Sequence, residues 1–493
     1  MRRLPLVIWA MVVGAFAMGA DEFIVAGVVL EIAAALDVSV GAVGHLESVY
    51  ALGVAIGAPV FTAIGTRFGR RSMLLLTTGV FLVGNLVSAL GPTYETILAG
   101  RIISATAHGA FLGIAAVFAA ELVDPARKGR AIAVIFSGLT ASTVLGAPLG
   151  AAVGQALGWR FTFWTLVVFG GVALLGLLAS LPRADRVPAA QTDHGGGHPH
   201  GDHGPPEAGH AGHHASDQST GGAAGGHHHP AHDHSESSAP TTADLEGLDA
   251  HALAHLGGAG QGPTIREQVA ALRRPAVWAA LLTTMLGYGG VFTTYVYIAP
   301  QITEVAGFDK VWITPLLLLF GAGLFTGNAL GGKLADRAVM PTVLGTLTVL
   351  AIALFTMTAA VQSQIATVVM MFVLGAAAFA VVAPLQLRVM SAAGHAPDVA
   401  SAANISSFTL GSAIGIYLGG AAIDGGLGLS SVNWIGGLIT TAGLLVAVTS
   451  WWILDRRPDP GAGDQEHAHE HGGHGEPQPV AAVPEQGHAH AHH

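Results

Sequence analysis

Cysteine is absent from all 493 residues of the chain, and charged side chains make up only 11% of it. Without cysteine there can be no disulfide framework, no thiolate nucleophile and no cysteine-ligated metal site. In a typical soluble protein about a quarter of the residues are charged, whereas this chain is 51% hydrophobic and contains 68 glycines. Small residues allow helices to approach one another closely within a bilayer. The composition therefore favours an integral membrane protein over a soluble enzyme.

Long apolar segments recur along the chain with short polar breaks between them. A helix that crosses the bilayer needs about 20 mostly apolar residues, and this criterion predicts twelve spans. Their predicted limits are Leu4–Leu30, Val43–Ile64, Met73–Leu90, Thr93–Leu122, Ala131–Leu157, Phe161–Leu181, Pro275–Ile298, Trp312–Leu334, Pro341–Val361, Ile365–Met390, Val399–Ile423 and Val432–Leu454.

The first apolar segment follows two arginines, which gives it a superficial likeness to a secretory signal peptide. The apolar core of a signal peptide is about 7 to 15 residues long. Because Leu4–Leu30 is far longer, we expect it to be the first span.

Lysine and arginine residues between the spans fall almost entirely on one side of the predicted topology. Cytoplasmic loops of membrane proteins are enriched in these residues. We therefore expect a multi-pass protein of the inner (plasma) membrane with both termini in the cytoplasm, and only Arg160 and Lys310 in the opposite loops. The cations on the cytoplasmic side are Arg2, Arg3, Arg67, Arg70, Arg71, Arg127, Lys128, Arg130, Arg183, Arg186, Arg266, Arg273, Arg274, Lys333, Arg337, Arg456 and Arg457.

Two segments lack hydrophobic periodicity and are rich in glycine, histidine and proline. Such compositions cannot bury enough apolar surface to fold. We therefore expect an N-terminal six-helix half at 1–182, a disordered cytoplasmic loop at 183–263, a C-terminal six-helix half at 264–456 and a disordered tail at 457–493.

Histidines in the loop and the tail lie close to one another and to carboxylates. These are ligands for loosely bound zinc, nickel, cobalt or copper, although the fixed spacing of a dedicated metal site is missing. Metal buffering or sensing, a response to pH and a plain linker all remain open interpretations. The candidate ligands are His227, His228, His229, His232, His234, His467, His469 and His471.

An internal repeat relates the two halves. Residues Gly57–Arg67 end the second span and Gly327–Arg337 end the eighth, with glycine and arginine at equal spacing. Gly146 and Gly150 of the fifth span likewise match two glycines of the eleventh. Duplicated halves around a midplane site are a transporter architecture. The predicted fold is therefore all-α, with twelve transmembrane helices in two pseudo-symmetric six-helix halves.

Four motifs carry a resemblance to a known family. They are Gly19-Ala-Asp-Glu-Phe23, Arg67-Phe-Gly-Arg-Arg71, Arg101-Ile-Ile-Ser-Ala-Thr-Ala-His-Gly109 and Gly146-Ala-Pro-Leu-Gly150. Together they resemble the major facilitator superfamily, and within it the twelve-span drug/proton antiporter group with its arabinose and chloramphenicol efflux branch. The second motif departs from the family pattern, because Thr66 stands where an aspartate is usual; the second copy has Asp336.

Charged residues within the spans are the main functional candidates. A carboxylate in the membrane is costly and therefore indicates function, so Glu22, Asp21 and Arg101 form a predicted proton-coupling site, with Arg101 expected to pair with Glu22 or a substrate anion. The alternatives are a helix cap at the outer headgroups for the acids and an arginine that reaches the outer interface. His108 lies two turns from Arg101 on the same face, where an interhelical hydrogen bond is its alternative role.

Further residues are assigned to a substrate cavity and to gating. The predicted cavity is mostly apolar with a few orienting polar groups. Its members, besides His108, are Tyr288, Tyr295, Tyr297, Gln386 and Asn404.

The predicted gating residues are Arg67, Gly69, Arg70, Arg71, Asp336, Arg337, Gly146, Pro148 and Gly150. Topology determination by the arginines and plain helix packing by the glycines remain alternatives, and Asp124 or Glu121 are the expected partners of the arginines.

These observations predict a monomeric secondary transporter, not an enzyme, that exports a small drug- or sugar-like solute in exchange for protons. Its expected partners are membrane lipid, the solute and protons, with no nucleic acid. No cofactor is expected apart from a divalent metal loosely bound to the histidines. Two alternatives remain: a divalent-metal exporter that uses the histidine-rich segments, and a membrane metal sensor that does not transport.

Overall fold

The computed structural model describes residues 5–65, 68–124, 127–180, 272–394 and 397–455. Within these ranges the chain is helical, and twelve helical segments are long and apolar enough to cross a membrane. The helices are α1 Leu6–Phe23, α2 Val29–Leu36, α3 Val40–Gly65, α4 Arg70–Leu90, α5 Tyr94–Glu121, α6 Lys128–Leu157, α7 Arg160–Ser180, α8 Pro275–Tyr295, α9 Ile298–Pro300, α10 Ile313–Ala335, α11 Val339–Ala360, α12 Gln364–Ala380, α13 Val382–Ala393, α14 Pro397–Ala422 and α15 Ser431–Ser450.

Short irregular helical segments join or extend several of these helices. They are the 3-10 helices Ile24–Gly27 and Lys310–Trp312 and the π-helices Gln301–Val305, Ile423–Leu427 and Trp451–Asp455. The predicted first span is therefore not one continuous α-helix. It tightens at Ile24–Gly27, where a Cβ on Gly27 would lie 2.4 Å from the carbonyl oxygen of Ala147 in α6, so the glycine permits a close backbone contact at this point.

The tenth predicted span is divided into α12 and α13 near a proline. Pro384 has no N–H to donate to the carbonyl of Ala380, four residues earlier, and α12 ends at Ala380. The sequence prediction of one span over Ile365–Met390 is right in extent, because the divided segment remains apolar over Gln364–Ala393.

The helix ends lie on two sides of the molecule, which we call the terminal end and the far end. At the far end, the Tyr94 hydroxyl donates to the Ala42 carbonyl at 2.9 Å and Arg160 Nη2 donates to Gly91 O at 3.0 Å. At the terminal end, Arg70 of α4 is ion-paired with Glu121 of α5. The chain enters α1 and leaves α15 at the terminal end.

Corresponding helices of the two halves make corresponding contacts. In the first half α1 packs on α6 and α3 on α5; in the second, α8 packs on α14 and α10 on α12. A Cβ on Gly150 would lie 2.2 Å from Ile24 O, and one on Gly415 would lie 2.1 Å from Gly289 O. The glycines that match in the sequence repeat therefore have the same packing role, close helix approach.

The most extensive contacts between the halves are those of two helix pairs, α3 with α14 and α6 with α10. The Ser48 hydroxyl of α3 donates to Ala413 O of α14 at 2.7 Å. Toward the far end, Gln155 Nε2 of the first half donates to Lys310 O of the second at 2.8 Å. The pseudo-twofold rotation that relates the two halves also relates these two helix pairs to each other.

Candidate functional site: a buried charge cluster in the first half

Three ionisable side chains from three helices meet inside the first half. Arg101 of α5 is fully buried, and its Nη1 donates to Asp21 of α1 at both Oδ1 and, at 3.0 Å, the backbone carbonyl. Its Nη2 donates to Glu47 Oε1 of α3 at 2.5 Å. The planar guanidinium thus joins two carboxylates from two helices, a bridging geometry that a lysine point charge does not reproduce.

Asn85 of α4 fixes the second oxygen of the aspartate. Its Nδ2 donates to Asp21 Oδ2 and to Phe81 O, both at 3.1 Å. Because Nδ2 satisfies two acceptors, the amide orientation is determined by the hydrogen bonds. Asn85 Oδ1 and Arg101 Nε remain buried without a hydrogen-bond partner.

An aromatic ring connects the arginine to His108. The Arg101 guanidinium carbon lies 3.9 Å from the centroid of the Tyr50 ring, a cation–π contact. The Tyr50 hydroxyl lies 3.1 Å from His108 Nδ1 and 3.4 Å from Met18 O. The prediction that His108 shares a face with Arg101 is consistent with this geometry, and the interhelical hydrogen bond considered as its alternative role is present.

Glu22 lies beside the cluster but not in it. Its side chain is partly buried, whereas Asp21 is fully buried. The carboxylate is within electrostatic reach of Arg101 and Asp21, and also of Tyr288 in the second half. The expected Glu22–Arg101 pair is thus replaced by pairs of Arg101 with Asp21 and Glu47, since successive helix residues point about 100° apart and only Asp21 faces α5.

Two of the three tyrosines assigned to the cavity, Tyr288 and Tyr295, lie near the boundary between the halves. Tyr295 of α8 packs edge-on against Phe23 of α1, with ring centroids 5.7 Å apart. Tyr288 packs against Phe408 of α14 at 4.8 Å. These rings place an apolar, aromatic surface opposite Glu22.

Gln386 and Asn404 form one polar cluster within the second half. Asn404 Nδ2 donates to Gln386 Oε1, and Gln386 Nε2 donates to the Ser401 hydroxyl, both at 2.7 Å. Asn404 Oδ1 is buried without a partner. Tyr297, by contrast, lies toward the far end: its hydroxyl donates to Ile416 O at 2.9 Å and faces Gly44 of α3. The structure therefore places it at a contact between the halves.

The charged gating candidates and Gly69 lie at the terminal end, as far as they are described. Arg70 is ion-paired with Glu121, one of its two expected partners, and both side chains are about half exposed. Gly69 precedes α4, Arg71 lies in its first turn, and Asp336 and Arg337 follow α10. Arg67 lies outside the described residues.

Gly146, Pro148 and Gly150 are buried where α6 meets α1. A Cβ on Gly146 would lie 2.9 Å from that of Phe23. Pro148 leaves the carbonyl of Val144 without its helical donor, yet α6 continues through it. Helix packing, the alternative considered for this motif, is the role that these contacts show directly.

All eight metal-ligand candidates lie in segments that the structure does not describe. Among the residues that it does describe, no group of three or more histidine, aspartate or glutamate side chains could hold a metal ion.

Sequence reasoning missed three buried polar residues. Glu47 lies inside the predicted second span, so the rule that identified Glu22 could have identified it. Arg388, near the end of the tenth predicted span, is also buried, and its Nη2 donates to the Ser450 hydroxyl at 3.3 Å. Asn85 had no such signal, because a neutral amide within a span is not exceptional.

The carboxylates in this region outnumber the cations. Asp21 and Glu47 of the cluster and Glu22 beside it are three carboxylates near one guanidinium, and an uncompensated charge in a membrane interior is costly. A proton on one carboxylate removes part of this excess.

Comparisons with known proteins agree with this architecture. Residues 11–416 match the family model described as Major Facilitator Superfamily. The chain is 34% identical over 441 residues to the inner membrane transport protein YdhP of Escherichia coli strain K12, covering 90% of this chain and 95% of the relative. It is 31% identical over 446 residues to a chloramphenicol resistance protein of Streptomyces lividans, covering 90% and 96%.

Solved structures show the same fold. A D-xylose–proton symporter aligns with a TM-score of 0.59 at 16% identity, over 90% of this chain and 97% of that one. The xylose transporter XylE of E. coli, in a partially occluded inward-open conformation, aligns with a TM-score of 0.57 at 17% identity, over 91% and 97%. The family match, the relatives and the twelve-helix fold together show that this chain is a multi-pass membrane transporter that belongs to the major facilitator superfamily.

Proposed function

We propose that the protein exports a small organic solute in exchange for protons, by alternating access of a cavity between its halves. The main observation in support of the proposal is that Asp21 and Glu47 share one buried arginine, with Glu22 beside them. Burying two carboxylates on one guanidinium leaves excess negative charge, which a bound proton offsets.

Glu22 is the proposed site at which proton and solute compete. Its side chain lies beside the cluster, is partly exposed and is within electrostatic reach of Tyr288 and Tyr295. Proton entry drives solute exit if the site cannot hold both at once, because each ligand then lowers the affinity for the other. Asp21, Glu47 and Arg101 set the charge that Glu22 experiences.

The solute class and the direction of transport are inferred from the aromatic residues and from one relative. The aromatic surface formed by Phe23, Tyr288 and Tyr295 suits an organic molecule with few charges. One relative is a chloramphenicol resistance protein, and export of a drug confers resistance. We propose a drug-like solute on these grounds.

Transport by the full-length protein in proteoliposomes tests the proposal. A panel of chloramphenicol, neutral sugars and divalent metals is offered under an imposed pH gradient of either sign. We expect uphill movement of an organic solute opposite to the proton flow. Glu22→Gln should abolish this coupling while solute binding persists, and Glu95→Gln, which changes an exposed carboxylate at the far end, should not.

Proton release gives an independent measurement. Adding the transported solute to purified protein in weakly buffered solution should release protons from the native chain and from Glu95→Gln, but not from Glu22→Gln. Transport of an organic solute at a rate that does not depend on the pH gradient would refute proton coupling. Movement of divalent metals alone would refute the organic solute.

A further inference from the structure

An apolar groove opens on the lateral surface of the second half. Helices α10, α11 and α12 enclose about 550 Å³, within the usual size range of ligand pockets. Leu330, Val349 and Phe372 form its rim and are exposed, whereas Thr346 and Ala377 at its floor are buried. In a bilayer this groove faces the acyl chains of the lipids.

Two cations stand at one end of the groove. Leu330, Leu334 and Arg337 are spaced by four and three residues, so they share a face of α10 and of the turn that follows it. Lys333 lies one turn before Arg337 on an adjoining position. Both cations are exposed, and neither has an ion-pair partner in the part of the chain that the structure describes.

The position of the cations at the end of a membrane-spanning helix is where lipid headgroups are expected. Leu334 and Pro341, which flank Arg337, line the groove at its terminal end, and α10 ends at Ala335. Asp336 offsets one of the two positive charges, so the local balance is one positive charge. A hydrophobic groove that ends in cations suits a molecule with apolar chains and an anionic headgroup.

We propose that this groove is a binding site for an anionic phospholipid of the leaflet at the terminal end. One acyl chain lies along α10, α11 and α12, and the phosphate contacts Lys333 and Arg337. This site is separate from the buried charge cluster of the first half, so it stands whether or not the transport mechanism proposed above is correct.

Native mass spectrometry of the full-length protein in detergent tests the proposal, with phosphatidylglycerol and phosphatidylcholine as probes. The native chain should retain phosphatidylglycerol in preference. Replacing both cations, Lys333→Gln with Arg337→Gln, should weaken phosphatidylglycerol binding by about fivefold per cation and leave phosphatidylcholine unaffected. Lys128→Gln, which removes an exposed cation at the terminal end of the first half, is the matched control and should change neither.

Filling the groove gives a second test. Gly345 lines it and has no atom within 4 Å of an added Cβ, so Gly345→Leu projects into the groove without a backbone clash. It should abolish phosphatidylglycerol retention, whereas Gly171→Leu, at a helical glycine of α7 with equal space, should not. Equal retention of the two lipids by the native chain, or phosphatidylglycerol retention that survives Gly345→Leu, would overturn the proposal.

Discussion

Arg101 is the residue on which the buried charges of the first half depend. Its two terminal nitrogens hold carboxylates of α1 and α3, while Tyr50 covers one face of the guanidinium. Removal of one partner from a buried ion pair leaves an uncompensated charge and costs about 3–5 kcal/mol.

Arg101→Ala should therefore lower the thermal unfolding midpoint of the purified protein markedly. A triple variant, Arg101→Met with Asp21→Asn and Glu47→Gln, should recover most of the loss, because no charge is then left buried. Intrinsic fluorescence during heating measures both. An Arg101→Ala variant as stable as the native chain would show that the cluster does not contribute to the fold.

Tyr50 offers a way to separate its ring from its hydroxyl. Tyr50→Phe keeps the ring beneath Arg101 and removes the hydrogen bond to His108, whereas Tyr50→Leu removes both. We expect Tyr50→Leu to be less stable than Tyr50→Phe by about 2 kcal/mol or more, the size of a desolvated cation–π contact together with lost packing. Equal unfolding midpoints for the two variants would contradict a stabilising ring contact.

Two backbone carbonyls that lack a helical N–H donor because of a proline both face glycines of α10. The first is Val144 O, four residues before Pro148, which would lie 2.7 Å from a Cβ on Gly321. The second is Ala380 O, four residues before Pro384, which would lie 2.2 Å from a Cβ on Gly331. The first contact joins the two halves. Close Cα–H···O approaches of this kind are weakly favourable, and a side chain at the glycine would prevent them.

Gly321→Ala should therefore separate α10 from α6 and weaken the contact between the halves. The chain has no native cysteine, so a pair introduced as Ser48→Cys and Ala413→Cys reports the approach of α3 and α14 by disulfide cross-linking. We expect less cross-linking in Gly321→Ala. Gly332→Ala, on the same helix with no atom within 4 Å, is the control and should cross-link like the parent; equal yields in both would contradict the prediction.

For the whole molecule, the distribution of lysine and arginine predicts that the terminal end is cytoplasmic. A reporter active only in the cytoplasm should be active when inserted near Gly225 or fused after His493. A single cysteine at Lys310, at the far end, should react with a membrane-impermeant reagent added outside intact cells. If this reporter is inactive at both positions, and a reporter that is active only outside the cytoplasm is active there, the predicted topology is reversed.

The histidine-rich loop follows the sixth predicted span in the sequence and precedes the seventh, so we expect the membrane path not to require it. Deletion of residues 190–260 should leave organic-solute export largely intact in the same transport measurement. If the protein confers only metal resistance, and this resistance disappears with the histidines of the loop and tail, the metal-exporter hypothesis replaces organic export.

The number and approximate limits of the spans follow from the sequence, because the bilayer requires about 20 apolar residues per crossing wherever a helix lies. The repeated glycines likewise indicate close helix contacts, which α1–α6 and α8–α14 confirm. Family membership follows from local motifs. Each of these properties depends on a short stretch of the chain and can be inferred from that stretch without the tertiary structure.

The partners of the charged residues were decided by the tertiary structure alone. Asp21 and Glu22 are adjacent and chemically alike, yet the rotation of α1 against α5 turns only Asp21 toward Arg101. Glu47 and Asn85 join the cluster from two other helices, at sequence separations that no local pattern encodes. The packing of the helices decides that Asp21 and Glu47 share the buried arginine and that Glu22 lies near the second half. The reason is that side-chain pairing depends on distances that exist only in the assembled bundle.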